Sequence, residues 1–124
     1  MKNVSHLSDA ECAVLRVLWE EGEPMRPLTV RERLASTQDW SISTVQTLLS
    51  RLKEKGAVSL VPMSHLRVYQ AALSREEYVL SQIEQLLLDT AQPSPLPLLR
   101  AMLKKLPLTE EEKQQLCTLL QKET

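Results

Sequence analysis

The chain has no phenylalanine, only two tryptophans and two tyrosines, and only two glycines in 124 residues. With leucine filling the apolar role, so few aromatics suit helix faces better than strands. Two glycines are too few for most phosphate-cradling loops, and neither a nucleophile elbow nor a histidine beside a plausible triad is present, which argues against an enzyme. Histidine is limited to His6 and His65, and the two cysteines lack C-x-x-C or C-x-C spacing, so neither a tight metal site nor a cofactor is implied. Cys12 and Cys117 lie far apart in helical patterns and read as small buried hydrophobes rather than a disulfide. No run approaches the roughly 18 apolar residues of a membrane span, and Met1 to Ser8 lacks the apolar segment of a signal peptide; a cytoplasmic protein without membrane insertion is expected.

A charge excess is missing too. The net charge is −1, which by itself argues against a nucleic-acid protein. The average hides an imbalance along the chain. Residues 9–39 hold seven acids against four bases, a net of −3, whereas residues 43–67 hold Arg51, Lys53, Lys55 and Arg67 against Glu54 alone, a net of +3.

What the chain does contain is a composition that folds, 43% hydrophobic and 25% charged, and a thrice-repeated helix start. Leu-Ser-Asp-Ala-Glu at 7–11, Leu-Ser-Arg-Glu-Glu at 73–77 and Leu-Thr-Glu-Glu-Glu at 108–112 each read as a capping box, with Ser8, Ser74 or Thr109 as N-cap and Glu11, Glu77 or Glu112 returning the bond. The Glu110 to Glu112 run is accordingly a capping and helix-dipole feature rather than a metal site.

The first helix is predicted from Ser8 to Glu21, burying Val14, Leu15, Leu18 and Trp19 and stopping before Gly22 and Pro24. A short second helix fits Thr29 to Ala35. A third follows Ser41 and runs to Lys55, with Val45, Leu48, Leu49 and Leu52 as its inner stripe and Gly56 as its left-handed cap. Beyond it the period shortens toward two, predicting a two-stranded hairpin over Val58 to Ala71 with its turn near Met63 and Ser64 and Tyr69 packing it onto the third helix. Three helices and a hairpin in this order make a winged helix-turn-helix domain over residues 1–73.

Residues 74–124 read as a three-helix arm: Ser74 to Asp89, a proline-rich bend, Leu98 to Leu106, and Thr109 to Lys122. Helices this short do not close a core alone, so the arm is expected to meet a second copy. The apolar positions assigned to that homodimer contact are Leu80, Ile83, Leu87, Leu99, Met102, Leu103, Leu116, Leu119 and Leu120. The fold class is therefore mainly α, a winged helix followed by a dimerisation arm.

The outward face of the third helix carries Ser43, Thr44, Gln46, Thr47, Ser50 and Arg51, with no carboxylate before Glu54. Arginine pairs bidentately with guanine, glutamine with adenine, and a threonine methyl meets the thymine methyl, so this face suits double-stranded DNA; Lys53 and, on the wing, Arg67 extend it toward phosphate. An ordinary solvated helix face, or a winged-helix module that docks protein instead of DNA, is the alternative.

Leu-Ser-Asp-Ala-Glu with Val14, Leu15, Leu18 and Trp19, then Asp39 to Gly56 with its Thr-Val-x-Thr-Leu-Leu-Ser-Arg-Leu core, then Val68 to Tyr78, resembles the penicillinase and methicillin-resistance repressor family of bacteria, which also includes copper-responsive repressors. The resemblance covers essentially the whole chain. It implies a homodimeric repressor that binds a palindromic operator of a β-lactam-resistance or related operon through Ser43, Thr44, Gln46, Thr47 and Arg51, and is inactivated by a membrane-sensor-linked protease. Ser43 and Gln46 stand where relatives commonly carry Lys and Arg, and Ile42 where they carry Pro. Every phosphate left unneutralised by the missing cations makes the slope of log affinity against log salt shallower by about 0.9. Relatives cleaved on induction carry an Asn-Phe bond whose equivalent by register is Ala101–Met102. The C-x-C pairs of the copper-sensing branch are absent, leaving only Cys117.

Overall fold

The computed structural model describes residues 6–62 and 65–122, in the order α1 (Asp9–Glu21), α2 (Pro27–Leu34), α3 (Ile42–Glu54), β1 (Val58–Leu60), β2 (Tyr69–Ala71), α4 (Arg75–Asp89), α5 (Leu96–Lys105) and α6 (Glu110–Lys122). The chain is mainly helical with one two-stranded antiparallel sheet, and the first five elements form a winged helix. It divides by contacts into two compact units, residues 1–85 and 86–124.

All three capping boxes form. Ser8 N–H donates to Glu11 Oε1 at 2.8 Å and Glu11 N–H to Ser8 Oγ at 3.1 Å. The Ser74/Glu77 pair closes at 2.9 and 3.0 Å and the Thr109/Glu112 pair at 2.9 and 3.1 Å. Each box satisfies two backbone N–H groups that the first helical turn would otherwise leave open. The first and third helices end on glycine at positive φ, Gly22 at 69° and Gly56 at 81°, a conformation that costs glycine nothing. After Gly56 the Ala57 N–H returns to Leu52 O at 2.9 Å, closing the last turn of α3.

The core of the first unit is built by the predicted faces. Val14, Leu15 and Leu18 of α1 and Val45, Leu48, Leu49 and Leu52 of α3 are buried, joined by Val30 and Leu34 of α2. Trp19 is only half buried, with its indole Nε1–H donating to Leu73 O at 2.8 Å and the Arg75 guanidinium 5.6 Å from its ring centroid. Such a ring offers an apolar body to the core and a polar edge to the chain that leaves the wing.

Several boundaries differ from the sequence reading for identifiable reasons. The second helix begins at Pro27, before the predicted Thr29, because proline is tolerated in the first turn, where its missing N–H is not needed. The fifth begins at Leu96 with Pro97 inside its first turn for the same reason. The hairpin strands are only three residues each, paired Val58 with Ala71, Ser59 with Gln70 and Leu60 with Tyr69. Leu66 and Val68 lie before the second strand, although Val61 N–H still reaches Val68 O at 2.9 Å. Met25 adds a bridge on the other side, exchanging both backbone bonds with Tyr69 at 2.8 Å. The turn expected at Met63 and Ser64 lies outside the described residues.

The contacts divide the chain at 85/86, inside α4, rather than at the 73/74 junction between the wing and that helix. The first turns of α4 pack with the first unit: Tyr78 and Ser81 are buried, the Leu7 N–H donates to Tyr78 Oη at 3.2 Å, and Ser81 Oγ–H donates to Tyr78 O at 2.8 Å. Burial pushes the Tyr78 hydroxyl pKa up, so it stays protonated while Leu7 N–H binds it. The leucines of α4 face elsewhere, and Val79, Leu80 and Leu86 remain exposed.

In the second unit, neither α5 nor α6 has a buried residue. Leu99, Met102, Leu103 and Leu106 of the fifth helix region and Leu116 and Leu120 of the sixth line one apolar groove of about 510 Å³. Cys117 is exposed and Cys12 is half buried, both as free thiols, so the expectation of two buried cysteines fails at Cys117: α6 has no core around it to bury the thiol.

Candidate nucleic-acid interface

The site starts from how α3 is held. Ser41 caps its first turn, accepting from Thr44 N–H at 3.2 Å. Four residues of one face sink into the core, which fixes the helix in rotation and leaves the opposite face to solvent. At the far end, Lys55 Nζ donates to Glu11 Oε1 at 2.7 Å and to His6 O at 3.3 Å, tying the end of α3 to the start of α1.

Glu11 is 2% exposed and, with Ser81, is one of the two buried polar residues among those described. Burial pushes its carboxyl pKa up, but the hydrogen bonds from Lys55 and Ser8 together with the Lys55 charge outweigh that and hold it below the ordinary carboxylate range. By sequence Lys55 belongs to the basic segment. It points its charge inward at Glu11, so the outward basic groups of that segment are Arg51, Lys53 and Arg67.

Ser43, Thr44, Gln46, Thr47, Ser50 and Arg51 all lie exposed on the outward side of α3, and Lys53 is exposed in its last turn. The two threonines present different chemistry. Thr47 Oγ1–H donates to Ser43 O at 3.0 Å, which commits the hydroxyl to the helix and leaves the methyl for an outside contact. Thr44 Oγ1 lies 3.1 Å from Ser41 Oγ, within the cap.

The wing brings Arg67 back to this helix. Arg67 and Leu66 line one notch together with Gln46 and Ile42 of α3, Leu28 of α2 and Arg26 just before α2. Arg26 is the N-cap of α2, and no side chain caps that helix, so the open N–H groups of its first turn are suited to phosphate. Sequence reasoning missed Arg26, Leu28 and Ile42. Recognising Pro27 as the first helical residue would have placed Arg26 at the helix start.

Among the described residues no group of three or more His, Cys, Asp or Glu side chains could hold a metal ion, and no helix is long and apolar enough to cross a membrane. The expected arm positions are exposed or half-exposed: Leu80, Leu99, Met102, Leu103, Leu119 and Leu120 are exposed, and Ile83, Leu87 and Leu116 half-exposed. The Ala101–Met102 bond lies inside α5, so a protease that binds an extended chain requires that helix to unwind first.

Residues 7–122 match the family model described as "Penicillinase repressor". The penicillinase repressor of Bacillus licheniformis is 33% identical over 79 residues, covering 64% of this chain and 61% of that relative. A Mycobacterium tuberculosis protein, the transcriptional regulator BlaI, is 33% identical over 79 residues, covering 64% of this chain and 57% of its own length. The chain thus spans about three fifths of the length of these relatives. Among solved structures, the monomeric form of B. licheniformis BlaI in complex with the blaP half-operator is similar with a TM-score of 0.52 and 33% identity, covering 63% of this chain and 94% of that one. The free DNA-binding domain of the repressor BlaI matches with the same values. With the winged helix, the exposed polar face of α3 and a match from residue 7 to residue 122, the chain belongs to the penicillinase repressor family, a family of transcriptional repressors and not of enzymes.

Proposed function

We propose that this chain is a homodimeric transcriptional repressor that reads each half of a palindromic operator with α3, in control of a β-lactam-resistance or related operon. The observation that carries the reading is the exposed face of α3, with Gln46, Thr47 and Arg51 outward and no carboxylate before Glu54, on a chain 33% identical to a BlaI bound to a half-operator. A carboxylate here would repel phosphate; amide, methyl and guanidinium groups match base edges and backbone. Arg26 and Arg67 flank the face and Lys53 prolongs it, supplying the salt-dependent part of the affinity.

The second unit supports the dimer. Leucines of α5 and α6 are exposed around a wide apolar groove, more than an isolated small unit keeps in water. A second copy covers such a surface by two-fold symmetry and brings a second reading helix to the DNA at high effective concentration.

The test is an electrophoretic shift with the DNA upstream of the chain's own gene. Salt-sensitive, sequence-preferring retardation at sub-micromolar dimer is expected, and Arg51→Ala should weaken specific binding by about 1–3 kcal/mol. No retardation would return the α3 face to a protein-docking role, and an unchanged affinity in Arg51→Ala would remove that side chain from the contacts.

A further inference from the structure

The notch between α2, α3 and the wing is unusual for a surface meant for phosphate, because most of its lining is aliphatic. Leu28 is 46% exposed and Leu66 53% exposed, and they face the same small space of about 190 Å³ as Ile42 and Gln46. Single exposed leucines need no explanation. Two of them converging beside a half-buried isoleucine on a polar reading face do, since each leaves apolar surface in water unless something covers it.

Charge says what kind of molecule covers it. Arg26 and Arg67 sit in the lining and no carboxylate does, so the occupant is anionic around an apolar group. The notch is also continuous with the outward face of α3, because Ile42 and Gln46 belong to both. Among the groups that duplex DNA displays in the major groove, one is apolar: the 5-methyl of thymine. Glutamine independently selects the same base pair, because its amide donates to N7 and accepts from N6 of adenine.

Resting on the DNA-binding reading above, we infer that this notch seats the 5-methyl of one thymine in each half-site, between Leu28, Ile42 and Leu66, while Gln46 reads the adenine of that A·T pair and Arg26 and Arg67 hold the phosphates on either side. The aliphatic lining thereby fixes the identity and the orientation of one base pair: the thymine methyl must enter from the side of α2 and the wing.

The experiment uses the full chain and the duplex that it enriches from a random-sequence pool. Each thymine of that duplex is replaced in turn by deoxyuridine, which removes the methyl and nothing else. One symmetry-related thymine should lose about fourfold in affinity, the ratio that corresponds to about 0.8 kcal/mol for one buried carbon. In Leu28→Ala, at a partly exposed position that the core does not need, the thymine-to-uracil ratio at that site should fall to about one. Gln46→Ala should weaken the preference for A·T over G·C at the same pair and leave the part supplied by the methyl, about fourfold. The inference is overturned if every thymine tolerates the replacement within experimental error, or if the methyl effect persists in Leu28→Ala, which would assign it to the Thr47 methyl instead. Failure to enrich any duplex would overturn the DNA-binding reading itself, and this inference with it.

Discussion

Residues 1–85 and residues 86–124 start from the same local grammar and end in different physical states. Both contain short capped helices rich in leucine, and the boxes at Ser8, Ser74 and Thr109 close with near-identical geometry. In the first unit, Leu7, Leu15, Leu49 and Leu52 have almost no exposure. In the second, α5 and α6 bury no residue. Capping decides where a helix begins, and it does not decide whether the helix finds a partner within its own chain. The first unit has three helices crossing a common centre and a small sheet that closes it; the second has apolar faces in excess of the chain available to cover them.

The sharpest way to break the comparison is to make the same deletion in both units. Leu49→Ala should cost about 2–5 kcal/mol of the stability of the first unit, the range for a leucine removed from a packed core. Leu103→Ala should leave that stability within about 0.5 kcal/mol and instead raise the concentration at which the proposed dimer forms. Both tryptophans lie in the first unit, so denaturant unfolding followed by fluorescence reports that unit, and sedimentation at several concentrations reports the other. Equal loss in the fluorescence transition for both variants would show that the two units are one cooperative core.

A second test concerns the Glu11–Lys55 pair, which belongs to the first unit alone. Glu11 has a folded-state pKa below its unfolded value, so its contribution to stability is present above the ordinary carboxylate range and is lost as pH falls through the lowered value. Lys55→Met should cost about 1–3 kcal/mol at neutral pH, because it leaves a buried carboxylate with one partner fewer, and most of that loss should vanish in acid. Denaturant midpoints of the two proteins from pH 7 down to pH 3 check it; curves that stay parallel would show that the pair is not the linked group.

The smallest effect lies in the second unit. Ala91 sits at φ 55°, the only non-glycine residue at positive φ among those described, where the helix α4 ends with Gln92 N–H returning to Leu87 O at 2.9 Å. Ala91→Gly should stabilise that end by about 0.5–1 kcal/mol, the relief of a left-handed alanine less the cost of a freer unfolded chain. Circular dichroism during thermal unfolding should show the gain in helix and leave the fluorescence transition unmoved.

Much of this architecture was legible in the chain. The three boxes, the Val45-Leu48-Leu49-Leu52 stripe and the Gly56 cap are local signals, and all formed where the spacing placed them. What the residues did not disclose was pairing at a distance. Met25 joining Tyr69, Tyr78 and Ser81 turning inward, and Lys55 reaching Glu11 depend on which segments the core brings together. The outward face of α3 could be read from periodicity, whereas the notch could not: Leu28, Ile42 and Leu66 come from three elements, and their spacing in the chain carries no trace of their meeting.

The anchoring of α3 at both ends has a consequence for its target. Ser41 pins the first turn, four buried side chains lock the middle, and the Lys55 tie secures the last, so the helix has little freedom left to surrender when it docks. A reader this stiff does not mould itself to a mismatched duplex. On the proposed reading the accommodation falls to the DNA, and operators that bend or widen cheaply between two half-sites are expected to be favoured at base pairs the protein never touches.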